Sequence, residues 1–516
     1  MGLIGIAILS FAQSSNDVRV LTNERTIGKN LATQEEIKAK EYIFPELIYD
    51  LYMDTISKSV TVQLRGLNDN GKWMNNRGKM VFYDLTDEKI KWSKNITYQR
   101  NSVNQFDNTI IFTAGFRSYR LNIENGKNLW NVKNNIIIVD AIAQVGIGYK
   151  VENALGTNTL EGINLKNGKV LWQRELNREY GWNDVYRTKD DEWMIVASGL
   201  HTFNIHNGAG WNYNVITGEK DYTVTSVANV AGVALGLLTG TFMFSTGYNL
   251  VSDVVSNVYS DSTSFYFASK EKISRIGKDN GKIFWSYPLP TDFPSKSALF
   301  VKDNFLFMVN YGYAFMGVRP LDYGTPFFAV FNKETGEQLF FRFFNIYKNP
   351  ILDFKITTDH ILLIFKDRII KCPLFDGNII FEKSINNGEL GELKGFVGNH
   401  IYIDATNSSL TNLLLSDTSK HYIFTGDDKV LIFDAELNVV DDFEINQLYR
   451  ACAHLKEGYK LVIKGKDNQT IVIDADNKKV AEMDITRVSY IIGNKIYSMQ
   501  GKSLFEIDLS NLIEKQ

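Results

Sequence analysis

Cysteine is nearly absent from this chain. Cys372 and Cys452 are its only two in 516 residues, too few and too far apart for a disulfide framework or a thiolate metal site. Two readings stay open for them, buried free thiols or one disulfide. Histidine is scarce as well. Among the six, His201 and His206 in "HTFNIH" are the closest pair. On a strand they face opposite sides, which argues against a shared metal. An excess of positive charge is also missing: 56 Lys and Arg against 59 Asp and Glu leave a net charge of −3. Nucleic acid is therefore not an expected partner. Helical periodicity is rare along the chain.

Aromatic residues, by contrast, are abundant. They make up 13% of the chain, with 33 Phe and 25 Tyr, which favours β-sheet. The length exceeds what a single ordinary core needs, so several domains or one repeat array are expected.

A repeat is present. An alternating strand leads into a turn with Asn-Gly or Thr-Gly, and an aromatic follows four residues after the glycine. The clearest copies are "LNIENGKNLW" with Gly126 and Trp130, "INLKNGKVLW" with Gly168 and Trp172, and "IGKDNGKIFW" with Gly281 and Trp285. Further copies place Gly336 before Phe340, Gly218 before Tyr222 and Gly377 before Phe381. "YDLTDEKIKW" lacks the glycine but keeps Trp92, and fainter copies lie at 432–443, 472–483 and 504–513. The glycine supplies the positive φ of a tight hairpin turn. The alternation buries one strand face. The aromatic gives each small sheet a wedge against its neighbour.

The aromatic positions are spaced by 38, 42, 50, 63, 55 and 41 residues. About 40 residues suit a four-stranded propeller blade. The expectation is an all-β chain: one closed β-propeller of four-stranded blades over 43–513, eight blades favoured within a range of seven to ten. Closure hides the sheet edges. A strand from 17–21 or from 43–52 is expected to complete the last blade.

The motif resembles the tryptophan-docking repeat of PQQ-like, quinoprotein-type propellers over roughly residues 80–480. That family has two branches, the pyrroloquinoline-quinone alcohol dehydrogenases and non-enzymatic propellers similar to the lipoprotein subunit of the outer-membrane barrel-assembly machine. The dehydrogenase branch implies an adjacent Cys-Cys pair beside the quinone, which this sequence lacks. The resemblance is nearer the second branch. The Asp-box of sialidase-type propellers fits less well, because the aromatic stands one residue too far from the glycine. Asp190, Asp191 and Glu192 read as a solvated turn.

One stretch departs from this pattern. "VANVAGVALGLLTGTFMF" (227–244) carries no charge, and Gly232, Gly236 and Gly240 recur every fourth residue. It falls within an apolar insertion, 226–250, between blades. Such a glycine row lets backbones approach closely, while each glycine costs a helix about 1 kcal/mol against alanine. Three readings stay open: packing on the chain's own ring, docking on a membrane surface, or contact with a protein partner, the last two through the glycines with Phe242 and Phe244. A single membrane crossing is incompatible with a closed ring.

At the start, Leu3 to Phe11 has the length of a signal-peptide h-region, and Ser10 and Ala12 supply small residues before Gln13. The usual Lys or Arg before such a run is missing. Residues 1–12 are read as a signal peptide and 13–42 as an N-terminal extension. No cysteine lies near this point, which argues against a lipid anchor there. The expected function is a non-catalytic, exported protein-binding scaffold in the periplasm or cell envelope of a bacterium. The alternative is an enzyme with its site in the central funnel, a quinone-dependent oxidoreductase or a glycan-active protein. No catalytic residue, cofactor or metal ligand is assigned.

Overall fold

The computed structural model describes residues 18–513 except 216–254 and short stretches, of which the longest are 177–183, 404–409 and 412–418. The described chain is all-β. Eight separate four-stranded antiparallel sheets follow one another in sequence, at 47–97, 101–132, 134–175, 184–214, 259–288, 297–343, 353–384 and 393–444. They are called the first to eighth units below. In the sixth, a small hairpin of Tyr313–Met316 and Arg319–Asp322 sits between the second and third strands.

An eleven-stranded sheet holds two further four-stranded groups. The ninth unit runs over 448–483. The tenth consists of Val488–Ile492, Lys495–Gln500 and Ser503–Asp508, completed by Glu36–Ile43 from near the N-terminus. Ala39 pairs with Ile507 and Ile43 with Ser503. The completing strand is thus neither 17–21 nor 43–52 but the segment between them. Its pattern explains the choice: Ile37 and Ala39 are buried on one face with residues of the ninth and tenth units, and on the other face Glu36 and Lys38 are exposed while Tyr42 is buried with residues of the first. The preceding strand, Leu21–Asn30, pairs with both Glu36–Ile43 and the last strand of the ninth unit, so it ties the two groups together.

Middle strands do not alternate in burial as the sequence pattern suggested. "FLFMVN" (305–310) and "FFAVFN" (327–332) are buried on both faces along nearly their whole length. The sheet that holds them, the sixth, is packed between the fifth and the seventh, so both of its faces are interior, and a continuous apolar run results. The apolar clusters show the succession. Met80 and Trp92 of the first unit pack with Ile110 and Leu121 of the second. Phe307 and Phe328 of the sixth pack with Ile361 and Cys372 of the seventh. Tyr497 and Leu504 of the tenth pack with Leu51, Val62 and Val81 of the first. Burial of each such aromatic contributes about 1.5–3 kcal/mol.

Helix is limited, among the described residues, to single turns at Asn387–Leu390, Lys456–Gly458 and Ser510–Ile513. None is long and apolar enough to cross a membrane.

Candidate interaction surface

The repeat aromatics each act on the next unit. The indole nitrogen of Trp92 donates to the carbonyl oxygen of Ile123 at 2.6 Å, Trp130 to Leu165 at 2.9 Å, Trp172 to Ile205 at 2.7 Å, Trp211 to Lys278 at 2.8 Å and Trp285 to Lys333 at 3.0 Å. Every acceptor lies in the turn between the third and fourth strands of the following unit. The turn glycine there lies under the ring. A methyl group added at Gly126, Gly168, Gly208, Gly281 or Gly336 would stand 2.5–2.9 Å from the indole of the preceding unit, and one at Gly377 would stand 2.3 Å from Phe340. These glycines also hold φ between 66° and 75°. Only the glycine, not the residue before it, takes the left-handed conformation. The turn is therefore longer than a two-residue hairpin: Gly126 N–H reaches back to the carbonyl of Asn122, whose side chain caps Glu124 N–H.

A one-residue bulge aims the ring. Opposite Leu121 and Arg120 stand Asn128 and Trp130, with Leu129 as the extra residue. Leu171, Phe284 and Leu339 are extra in the same way. A bulge turns the following side chain to the other face. It sends the aromatic inward and leaves Leu129, Leu171, Phe284 and Leu339 exposed.

Gly218 and Tyr222, expected as one pair of this series, lie outside the described residues. In the fourth unit Gly208 and Trp211 make the contacts, one residue closer together because the fourth strand there has no bulge. Phe381 meets no glycine. It packs in one cluster with Leu437, a non-glycine at φ 61° in the turn of the eighth unit.

A second tie follows two residues after the aromatic. Lys94 donates to Asn128 Oδ1 at 3.2 Å, Arg174 to the carbonyls of Thr202 and Gly208 at 2.6 and 3.2 Å, and Tyr287 to Gln338 Oε1 at 2.6 Å. Its residue type varies, so no sequence signal marks it.

Because these contacts join successive third-to-fourth turns, those turns share one end of the assembly. The antiparallel order then places the second-to-third hairpins at the opposite end. There the first unit has a long hairpin with Leu67, Trp73 and Met74 exposed, Trp73 at 71%; Tyr49 and Phe116 are exposed at the same end. The hairpin is braced. Asn68 N–H donates to the Trp73 carbonyl at 2.8 Å, and Asn75 Nδ2 donates to the Leu67 carbonyl at 2.9 Å. The Arg65 guanidinium lies 5.1 Å from the ring of Tyr49 and 4.9 Å from that of Tyr98, and it donates to the Asn75 carbonyl. Gly232, Gly236, Gly240, Phe242 and Phe244 lie outside the described residues. The chain leaves the fourth unit at Val215 and re-enters at Val255, whose N–H bonds Ala268 at the end of a second strand. Both points belong to the end that carries Trp73.

The titratable candidates stay apart. Asp190 and Asp191 are exposed in a turn, with Asp191 3.2 Å from His206 Nε2, and Glu192 accepts from Thr188. His201 is 2% exposed, and burial, with the Arg174 charge beside it, pulls its pKa down to about 4. Cys372 is a buried free thiol, pushed up to about 12 by burial. Nothing is described of the Cys452 side chain. Among the described residues no three His, Cys, Asp or Glu side chains gather as a metal site would require.

Residues 68–241 match the family model described as outer membrane protein assembly factor BamB. Over this stretch the repeat is PQQ-like. Among solved structures, the chain with its PQQ-like repeats is similar to BamB from Moraxella catarrhalis, at 12% identity and a TM-score of 0.32, over 75% of this chain and 96% of that one. It is similar to the dihydro-heme d1 dehydrogenase NirN in complex with DHE at 10% identity and a TM-score of 0.31, over 82% and 78% of the two chains. A protein of unknown function from Bacteroides caccae shares 11% identity at a TM-score of 0.24, over 63% of this chain and 89% of that one. No curated protein is significantly similar to the chain in sequence.

Proposed function

We propose that this chain is an exported, non-catalytic β-propeller, closed into one ring, that serves as a protein-binding scaffold at the cell envelope of a bacterium. One observation carries the binding role: Trp73, largely exposed, stands on a hairpin already held by Asn68, Asn75 and Arg65. Exposed tryptophans on rigid supports suit the buried centre of an interface, because little conformational freedom is lost on binding. The match of 68–241 to a propeller family of assembly factors supports the same reading. The packing of the tenth unit on the first supports ring closure. The insertion 226–250 opens at the same end, and Gly232, Gly236, Gly240, Phe242 and Phe244 are proposed as further contacts with the partner or with a membrane surface.

The test is capture of partners from envelope extract by three forms of the protein: intact, Trp73→Ala, and one with 226–250 replaced by a Gly/Ser linker. A photo-crosslinking residue at Lys72, beside Trp73, is compared with one at Ile142, which lies at the opposite end. Partners crosslinked at 72, not at 142, and lost from Trp73→Ala are expected. Equal capture by all three folded forms overturns the binding-face reading.

A further inference from the structure

Between the seventh and eighth units three basic side chains converge on one apolar floor. Lys355, Leu362 and Lys371 are register partners on adjacent strands, so all three project from the face turned toward the eighth unit. Adjacent strands lie about 4.8 Å apart, which sets the two lysines about 10 Å apart across Leu362. His421, on the facing sheet, enters this gap, and Lys355 Nζ donates to its Nδ1 at 3.5 Å. Leu362 is buried, and it packs with Ile423 and Phe433 beneath the three bases.

Among the described residues no carboxylate pairs with the two lysines; Asp353, two residues from Lys355 on the same face, accepts instead from the N–H groups of Phe354 and Phe396. None of the ion pairs among the described residues contains Lys355 or Lys371, whereas Lys366, Lys394 and Lys429 of the same two units each have an acidic partner. Lys371 reaches only the Ala435 carbonyl, at 3.5 Å. The neighbouring Asp434 carboxylate is taken up by Asn438, through its backbone N–H at 2.7 Å and its side-chain amide at 3.2 Å. Burial lowers the Lys355 pKa, and burial with the charges of Lys355 and Lys371 brings His421 down to about 4. Like charges gathered on a half-dry floor repel one another, and an anion seated among them reverses the sign of that term.

We propose that Lys355, Lys371 and His421 form a binding site for a small oxyanion of the phosphate class. The lysines supply charge and N–H donors, and the Nε2–H of His421, whose Nδ1 accepts from Lys355, adds a third donor. This site is independent of the Trp73 end and stands or falls without it.

The probe is inorganic phosphate, against sodium chloride at equal ionic strength. In the native chain phosphate raises the melting temperature more than chloride does, and that surplus disappears in Lys355→Met and in Lys371→Met. Lys127→Met, in a distant exposed turn, keeps it. Without phosphate, Lys355→Met melts at or above the native temperature, because a desolvated charge has gone. The native protein also gives a readout that needs no lysine variant: the His421 ring resonance, assigned with His421→Gln, titrates about one pH unit or more higher in phosphate. Equal effects of phosphate and chloride, an unmoved His421 titration, or full retention of the surplus in the two lysine variants each overturn the site.

Discussion

The indole of Trp211 lies on Gly281 and donates to the Lys278 carbonyl at 2.8 Å, although the 216–254 segment separates the two in sequence. The fourth and fifth units are therefore packed neighbours, joined by the same contact as pairs linked by ordinary short connections. The insertion interrupts the sequence repeat without interrupting the packing.

The contact can be weighed by substitution. Trp211→Phe keeps a ring over Gly281 and loses one hydrogen bond, a cost of about 1 kcal/mol. Gly281→Ala and Gly71→Ala both force alanine into a left-handed conformation, at φ 67° and 70°, for about 1–2 kcal/mol each. Around Gly71 the added methyl meets nothing within 4 Å, whereas at Gly281 it stands 2.6 Å from the indole. Gly281→Ala is therefore expected to lose about 1–3 kcal/mol more than Gly71→Ala in urea unfolding. Equal losses would show that the indole does not rest on the glycine.

The strand Glu36–Ile43 makes a second prediction. Ala39 is buried among Phe505, Ile507 and Leu461. Ala39→Asp puts a carboxylate there and costs several kcal/mol, on the order of what an unpaired buried charge costs. Amides of Ser503–Asp508 should lose hydrogen-exchange protection first, since they pair with this strand. Lys38→Ala, on the solvent face of the same strand, should stay within about 0.5 kcal/mol of the native protein. Unchanged protection in Ala39→Asp would refute the role of this strand in completing the tenth unit.

Much of the repeat was legible because a single contact ties its two signals together. A glycine is needed where the preceding indole leaves no room for a methyl group, so Gly126, Gly168, Gly281 and Gly336 recur with Trp130, Trp172 and Trp285. The legible part ended where another solution served. Leu437 holds the left-handed position without glycine, which masks the eighth unit. Trp211 comes three residues after its glycine for want of a bulge, so a four-residue spacing passes over it, while the copy at Gly218 lies outside the described residues. The completing strand reads "EIKAKEYI": Ile37 and Ala39 are buried on one face, while the other carries Glu36, Lys38 and Lys40 before the buried Tyr42, and these charges hid the strand. At the end that carries Trp73, nothing in "NDNGKWM" distinguishes an exposed tryptophan from a buried one. Arg65, Tyr49 and Tyr98 brace that hairpin through contacts between strands, which a linear pattern does not express.

Cys372 tests the packing of the sixth unit on the seventh. Its thiol is fully buried and its pKa is raised to about 12, so almost no thiolate exists at neutral pH. Iodoacetamide should leave the Cys372 peptide unmodified in the native protein and alkylate it in urea. Cys372→Ser places a hydroxyl among Phe307, Phe328 and Ile370 and should cost about 1–3 kcal/mol. Native-state alkylation at the rate of a free thiol would refute that packing.

His201 sets a pH dependence with a definite sign. Its folded pKa is about 4, below the ordinary value of 6.5, because burial and the Arg174 charge disfavour the imidazolium. Between those values the unfolded chain binds the proton more readily than the folded one. Stability is therefore full above about 6.5, falls as the pH drops, and stops falling from this source below about 4. From pH 7 to pH 5 the expected loss from His201 is about 2 kcal/mol. His421, lowered to about 4 by burial and its two lysine neighbours, acts in the same direction, so the measurement belongs in phosphate-free buffer. His201→Gln removes the titrating group, and its urea-unfolding free energy should change less over this range than that of the native chain. The two lines converge toward pH 5 if the assignment holds. Parallel lines would mean that His201 is not buried neutral between the third and fourth units.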